Sequence, residues 1–126
     1  SLTETSDYRL KQNVNYDFSG LGIISQLKPC SYEWKEESNY VEESDNKSNT
    51  VYGFLAHELD TVYPSAVSGK KDALKHQAIA QTKLIGVLTK AIQELSAKND
   101  ALQTENDTLK SQMVSVMARL SALESN

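Results

Sequence analysis

Ser6-Asp7-Tyr8-Arg9-Leu10-Lys11 places a hydroxyl and an amine five residues apart. A serine hydroxyl becomes a useful nucleophile only when a base removes its proton. Lysine serves as that base where desolvation or a nearby cation lowers its pKa from the reference value of about 10.4. Arg9 is a neighbouring cation of that kind, and Asp7 offers hydrogen bonds to the segment; the competing reading of these two is an exposed ion pair. A spacing of five does not share a helix face, where three or four is needed. A turn or irregular segment must therefore bring Ser6 and Lys11 together. Taken alone the spacing is common and does not establish catalysis.

Other reactive side chains point elsewhere. Cys30, His57 and His76 are separated by 27 and 19 residues, which matches no zinc-ligand pattern. Gly69-Lys70-Lys71 is not a phosphate loop, because the preceding glycine is 16 residues away and no Ser or Thr follows the lysines. No metal and no cofactor is expected. The single cysteine excludes an internal disulfide framework and fits synthesis in a reducing compartment. A net charge of −4 offers no clustered basic footprint for nucleic acid. No stretch nears the roughly 20 apolar residues of a membrane span, and SLTETSDYRLK has no apolar signal-peptide core. Neither a nucleic acid nor a membrane is an expected partner. With 126 residues and 39% apolar content, the chain suits a small domain joined to an extended element.

The elements that must position Ser6 and Lys11 fall into two halves, 1–70 and 71–126. All nine aromatic residues, both prolines and four of the five glycines lie in the first half. The second half is rich in Ala, Leu, Gln, Lys and Glu, which favour helix. It also carries a heptad over about 85–124. Position a reads Ile85, Ile92, Asn99, Asn106, Met113 and Leu120; position d reads Leu88, Leu95, Leu102, Leu109, Val116 and Leu123. A repeat of about 3.5 residues sustained this long specifies a supercoiled bundle of helices. Glu105 with Lys110, and Arg119 with Glu124, are g-to-e pairs that favour parallel alignment. The two asparagines at a fix register at a cost in stability. The alternative is one amphipathic helix packed on its own domain, but the first half is too small to cover so long a stripe.

The first half reads as short elements. Residues 18–30 predict a turn, a short helix over Ile23, Ile24 and Leu27, and a stop at Pro29. Ser31–Lys35 reads as a strand and Val51–Leu55 as its return. The acidic stretch 36–50 between them is a loop or hairpin tip. His57–Val62 reads as a helical turn ending before Pro64, and Val67–Lys71 as a turn. Asp72 is a candidate cap for the long helix. Tyr32, Trp34, Phe54 and Tyr63 are expected mainly in the core.

The Ser6–Lys11 stretch resembles the start of the peptidase S74 family, the intramolecular chaperone domains of phage tail fibres, tailspikes and neck appendages. Three more blocks resemble that family in order: Leu27-Lys28-Pro29 with Tyr32, Trp34 and Lys35; Gly53–Leu59 with Tyr63–Val67; and Leu84–Leu88 with Ala91–Leu95. The resemblance spans about residues 6–95. It departs at His57, where glutamine is usual, and at Gly86, where proline is common.

The resemblance implies an α+β fold, a small mixed domain of short strands followed by a long C-terminal helix in a parallel trimeric coiled coil. It implies a homotrimer that templates the upstream fibre or spike portion of its own polypeptide and then cuts itself off. Ser6 carries over as nucleophile and Lys11 as general base, with Asp7, Arg9, His57 and Glu58 as supporting residues. The loop 36–50 carries over as a fibre-contacting arm. The expected bond is Thr5–Ser6, since Ser6 Oγ reaches that carbonyl through a five-membered ring and its own only through a strained four-membered one. Ser6–Asp7 is the alternative, open to an oxygen from another chain. The setting implied is the host cytoplasm during virion assembly, with the domain released from the mature fibre. Two other readings stay open: a non-cleaving trimerisation or capping module, and a release domain of a membrane-tethered transcription factor.

Overall fold

The computed structural model describes residues 3–35 and 49–125. The expected acidic arm falls largely on 36–48, outside the described residues.

An extended leading segment contains one 3-10 turn, Tyr8–Leu10. It enters helix α1, Gly20–Ile24, whose Ser19 side chain accepts the Gly22 N–H as an N-cap. The helix stops before Leu27 and well short of Pro29, so it begins and ends earlier than predicted. Strands β1, Cys30–Tyr32, and β2, Val51–Gly53, form the predicted hairpin; β1 starts one residue earlier than predicted and stops at Tyr32 rather than Lys35, and β2 starts at Val51 as predicted and stops at Gly53 rather than Leu55. They pair antiparallel in the register Cys30 to Gly53 and Tyr32 to Val51. Helix α2, Ala56–Asp60, ends before a 3-10 turn at Pro64–Ala66, as proline at a first helical position favours.

The region near residue 70 departs from the sequence reading. Val67–Ser68 is strand β3, and it pairs antiparallel with β4, Ala78–Ile79. Gly69 leaves β3 at φ +84°, a backbone angle that favours glycine. Asp72 also sits at positive φ and caps no helix. The long helix α3 begins at Leu84 and runs 41 residues to Glu124, preceded by a 3-10 turn at Gln81–Lys83. A second small hairpin thus occupies residues expected at the start of the long helix.

The core is small. Leu59, Ala66 and Leu84 are buried, with Leu27, Phe54, Tyr63, Val67 and Ile79 packed around them. Tyr32 and Trp34 meet edge to face at 5.4 Å rather than joining that cluster. Helix α3 contributes Leu84, Val87 and Ala91 to the buried surface. In the heptad these are g, c and g positions. The a and d residues lie on another side of the helix and are exposed, including Ile85, Leu88, Ile92 and Leu95. From Leu95 onward every described residue is exposed, a protruding length of about 45 Å.

Candidate functional site

The 3-10 turn at Tyr8–Leu10 supplies the local geometry that a regular helix cannot. The Leu10 N–H donates to Asp7 O, and the Lys11 N–H donates to Tyr8 O, both at 3.1 Å. Asp7 caps the turn by accepting the Arg9 N–H at 2.9 Å. Arg9 returns a two-pronged contact, Nε to Oδ1 at 3.0 Å and Nη2 to Oδ2 at 2.8 Å. This closed turn brings the chain round so that Lys11 Nζ lies 2.6 Å from Ser6 Oγ. A hydroxyl and an amine at hydrogen-bond distance satisfy the geometric condition for proton transfer between them.

The electrostatics of the turn are local. The Arg9 guanidinium, and then the Arg9 backbone N–H, hold the Asp7 carboxyl below its usual range. Asp7 in turn raises Arg9. Arg9 is therefore engaged by Asp7, and the pair caps and braces the turn. Ser6, Lys11, Tyr8 and Leu10 are all exposed in the single chain.

Side chains of α3 and of the turn before it hold the leading segment lengthwise at successive points. Thr82, in the turn before α3, donates its hydroxyl to Glu4 Oε1 at 3.0 Å. Lys90 Nζ donates to Tyr16 O at 2.9 Å and lies 5.6 Å from the centre of the Phe18 ring. Glu94 accepts from Ser19 Oγ at 2.9 Å and from the Gly20 and Leu21 backbone N–H groups. Partial burial pushes the Glu94 carboxyl up, but the Ser19, Gly20 and Leu21 hydrogen bonds and the Lys90 charge outweigh it, leaving a lowered pKa. Gly20 fits against α3 only because it lacks a side chain: a Cβ there would meet Ala91 N at 2.4 Å and Val87 O at 2.5 Å.

The other sequence-predicted residues lie elsewhere. Glu58 Oε2 is 3.7 Å from Lys28 Nζ, a local ion pair. His57 lines an open cleft with Lys70, Lys71, Lys75, His76 and Gln77. Among the described residues no hydrogen bond or ion pair links either one to Ser6 or Lys11. Sequence reasoning missed Gly20, Thr82, Lys90 and Glu94. Glu94 stood inside a block read only for its family resemblance, and its partners are 73–75 residues away, beyond any local spacing signal.

Searched against curated proteins, the chain has no match. Residues 6–68 match the Peptidase S74 family, described as chaperone of endosialidase. The match begins at Ser6, takes in the turn, α1, both strands of the first hairpin and α2, and ends in β3. Covering half of the sequence in one continuous span, it makes this chain a member of the Peptidase S74 family.

Proposed function

We propose that this chain is an intramolecular chaperone that trimerises through α3, templates the fibre or spike portion preceding it in the same polypeptide, and releases itself by cleavage at Thr5–Ser6. The observation that carries the cleavage reading is the 2.6 Å contact between Lys11 Nζ and Ser6 Oγ. The neutral amine accepts the Ser6 Oγ proton as Oγ bonds to the Thr5 carbonyl carbon. That proton passes to the Ser6 nitrogen as the Thr5–Ser6 amide opens, leaving an ester between Thr5 and Ser6 Oγ. Water then hydrolyses the ester, giving a Thr5 carboxylate and a new amino terminus at Ser6.

The assembly reading has its own support. The chain exposes 10933 Å², whereas a compact monomer of this mass exposes roughly 6,700 Å². Part of that exposure is the apolar a/d stripe of α3, such as Leu102 at 61% and Leu123 at 71% exposure. Packing that stripe against copies of itself removes apolar surface at about 25 cal/mol per Å². The three tethered fibre ends then share an effective concentration in the millimolar range. Closure of the trimer shields the exposed Ser6–Lys11 pair, so cleavage reports completed assembly. Loss of the covalent link removes a route for unfolding and leaves the fibre kinetically stable. The process belongs in a host cytoplasm during virion assembly.

The test compares wild type with Ser6→Ala, each expressed with about a hundred native upstream residues. A released-domain band in the wild type alone is the expected result. Full-length bands in both would leave a non-cleaving trimerisation module. Sequencing those upstream residues separates a fibre from a transcription factor.

A further inference from the structure

We propose that Thr82 is a specificity-determining residue: its hydroxyl recognises the side chain at position 4, two residues upstream of Ser6, and matches the domain to an upstream chain with glutamate or glutamine there. The inference rests on the self-cleavage proposed above and names the part of its own substrate that the domain selects. The bond from Thr82 Oγ1 to Glu4 Oε1 is 3.0 Å long and joins residues 78 apart in the chain. Both partners lie outside residues 6–68, the span matched by the family. The dyad lies within that span, so the reactive pair and the contact on the upstream chain come from different parts of the sequence.

The donor stands on a fixed platform. Thr82 is the middle residue of the 3-10 turn Gln81–Lys83. Just before that turn the Ala80 N–H donates to Ala66 O at 2.7 Å, and within it Lys83 Nζ donates to Ser65 O at 2.8 Å. Directly after it Leu84 is buried in the core with Leu59 and Ala66. A side chain carried on a turn held from both ends presents its hydroxyl at a set place, and Glu4 is the residue that meets it.

The placement fits recognition of the segment to be cut. The scissile Thr5–Ser6 bond has the Glu4 anchor on one side and the Asp7–Arg9 turn with its Lys11–Ser6 contact on the other. Holding residue 4 limits how far the Thr5 carbonyl can swing from Ser6 Oγ, and orientation of that kind raises the rate of an intramolecular attack. A hydroxyl donor at this distance asks for an acceptor oxygen at the end of a side chain of glutamate length. Glutamine supplies one, aspartate falls a methylene short, and leucine accepts nothing. Glu4 and Thr82 are both exposed, so water replaces the lost partner and selection is graded rather than absolute.

The test uses the chain with its native upstream residues. Glu4→Leu should cut about two- to tenfold more slowly than wild type, and Glu4→Gln at nearly the wild-type rate. Glu4→Leu combined with Thr82→Val should be no slower than the slower single variant, because both remove the same bond. Losses that multiply overturn the proposal, as does Glu4→Leu at the wild-type rate or Glu4→Gln as slow as Glu4→Leu. A second readout needs no self-cleavage. An added glutamate-specific endoprotease should cut after Glu4 about two- to tenfold faster in Ser6→Ala/Thr82→Val than in Ser6→Ala, with cutting at other glutamates unchanged. Equal cutting after Glu4 overturns the proposal. A wild type that never cuts itself defeats the proposed function, while the added protease still decides whether Thr82 holds Glu4.

Discussion

Gly20 and Ala91 approach so closely that a methyl group on Gly20 would lie 2.4 Å from the Ala91 backbone nitrogen. This contact sets how the leading segment docks on α3, because both obstructing groups belong to helix backbone and cannot move aside. Gly20→Ala should destabilise the protein by about 1–3 kcal/mol. Gly86→Ala is the matched control, since a Cβ there meets nothing within 4 Å. It should stabilise α3 by about 0.5–1 kcal/mol. Thermal denaturation of the two variants, side by side, checks both signs.

Glu94 ties stability to pH. Its carboxyl has a lowered pKa when folded, so its contribution is present above the ordinary glutamate range and lost as pH falls through the folded value. Glu94→Gln should be less stable than wild type at pH 7, with the gap closing as pH drops below about 4. Asp7 is shifted the same way, and comparing wild type with the single variant isolates Glu94. Melting curves from pH 7 to pH 3 provide the measurement.

Lys11→Arg keeps a long basic side chain beside Ser6 but supplies a group that does not deprotonate in proteins. The uncut full-length chain should accumulate, as it does in Ser6→Ala. Appearance of the released domain in the arginine variant would contradict a base role for Lys11.

Leu95→Asp with Leu102→Asp places carboxylates in two layers of the exposed stripe. Sedimentation should show a monomer in place of the proposed trimer, with circular dichroism reporting loss of helix beyond Glu94, where the described residues of α3 are exposed. Cleavage should stop in the same variant although Ser6 and Lys11 are untouched.

Thr82→Val removes the hydroxyl that holds Glu4, two residues upstream of Ser6. The exposed bond is modest, so cleavage should slow only about two- to tenfold, with trimer formation unchanged. Thr82→Ser should recover most of the rate. Time courses on gels resolve a difference of this size.

Ser6, Lys11 and the heptad were legible without coordinates, because both signals are local. A six-residue motif and a 3.5-residue period survive in one dimension whatever the rest of the chain does. The β1–β2 hairpin was legible for the same reason, in the alternation of Tyr32 and Trp34 and the return at Val51. The second hairpin was not: Val67–Ser68 and Ala78–Ile79 are two-residue strands, too short to show alternation, and their pairing is set by the core around Leu59, Ala66 and Leu84. Composition likewise could not separate the two faces of α3, since Leu84, Val87 and Ala91 look no different from Leu88 and Ile92. Packing of Leu84 with Leu59 and Ala66, and of Val87 and Ala91 against Gly20, assigns the first group to the chain's own core and leaves the second uncovered. The sequence by itself marked Ser6 and Lys11 as a candidate pair and set the length of the stripe. The tertiary structure decided that a capped 3-10 turn closes Ser6 onto Lys11, and that Thr82, Lys90 and Glu94 hold that segment along α3. These last contacts span more than seventy residues, and separations of that size are fixed by how elements pack, not by any local preference of the chain.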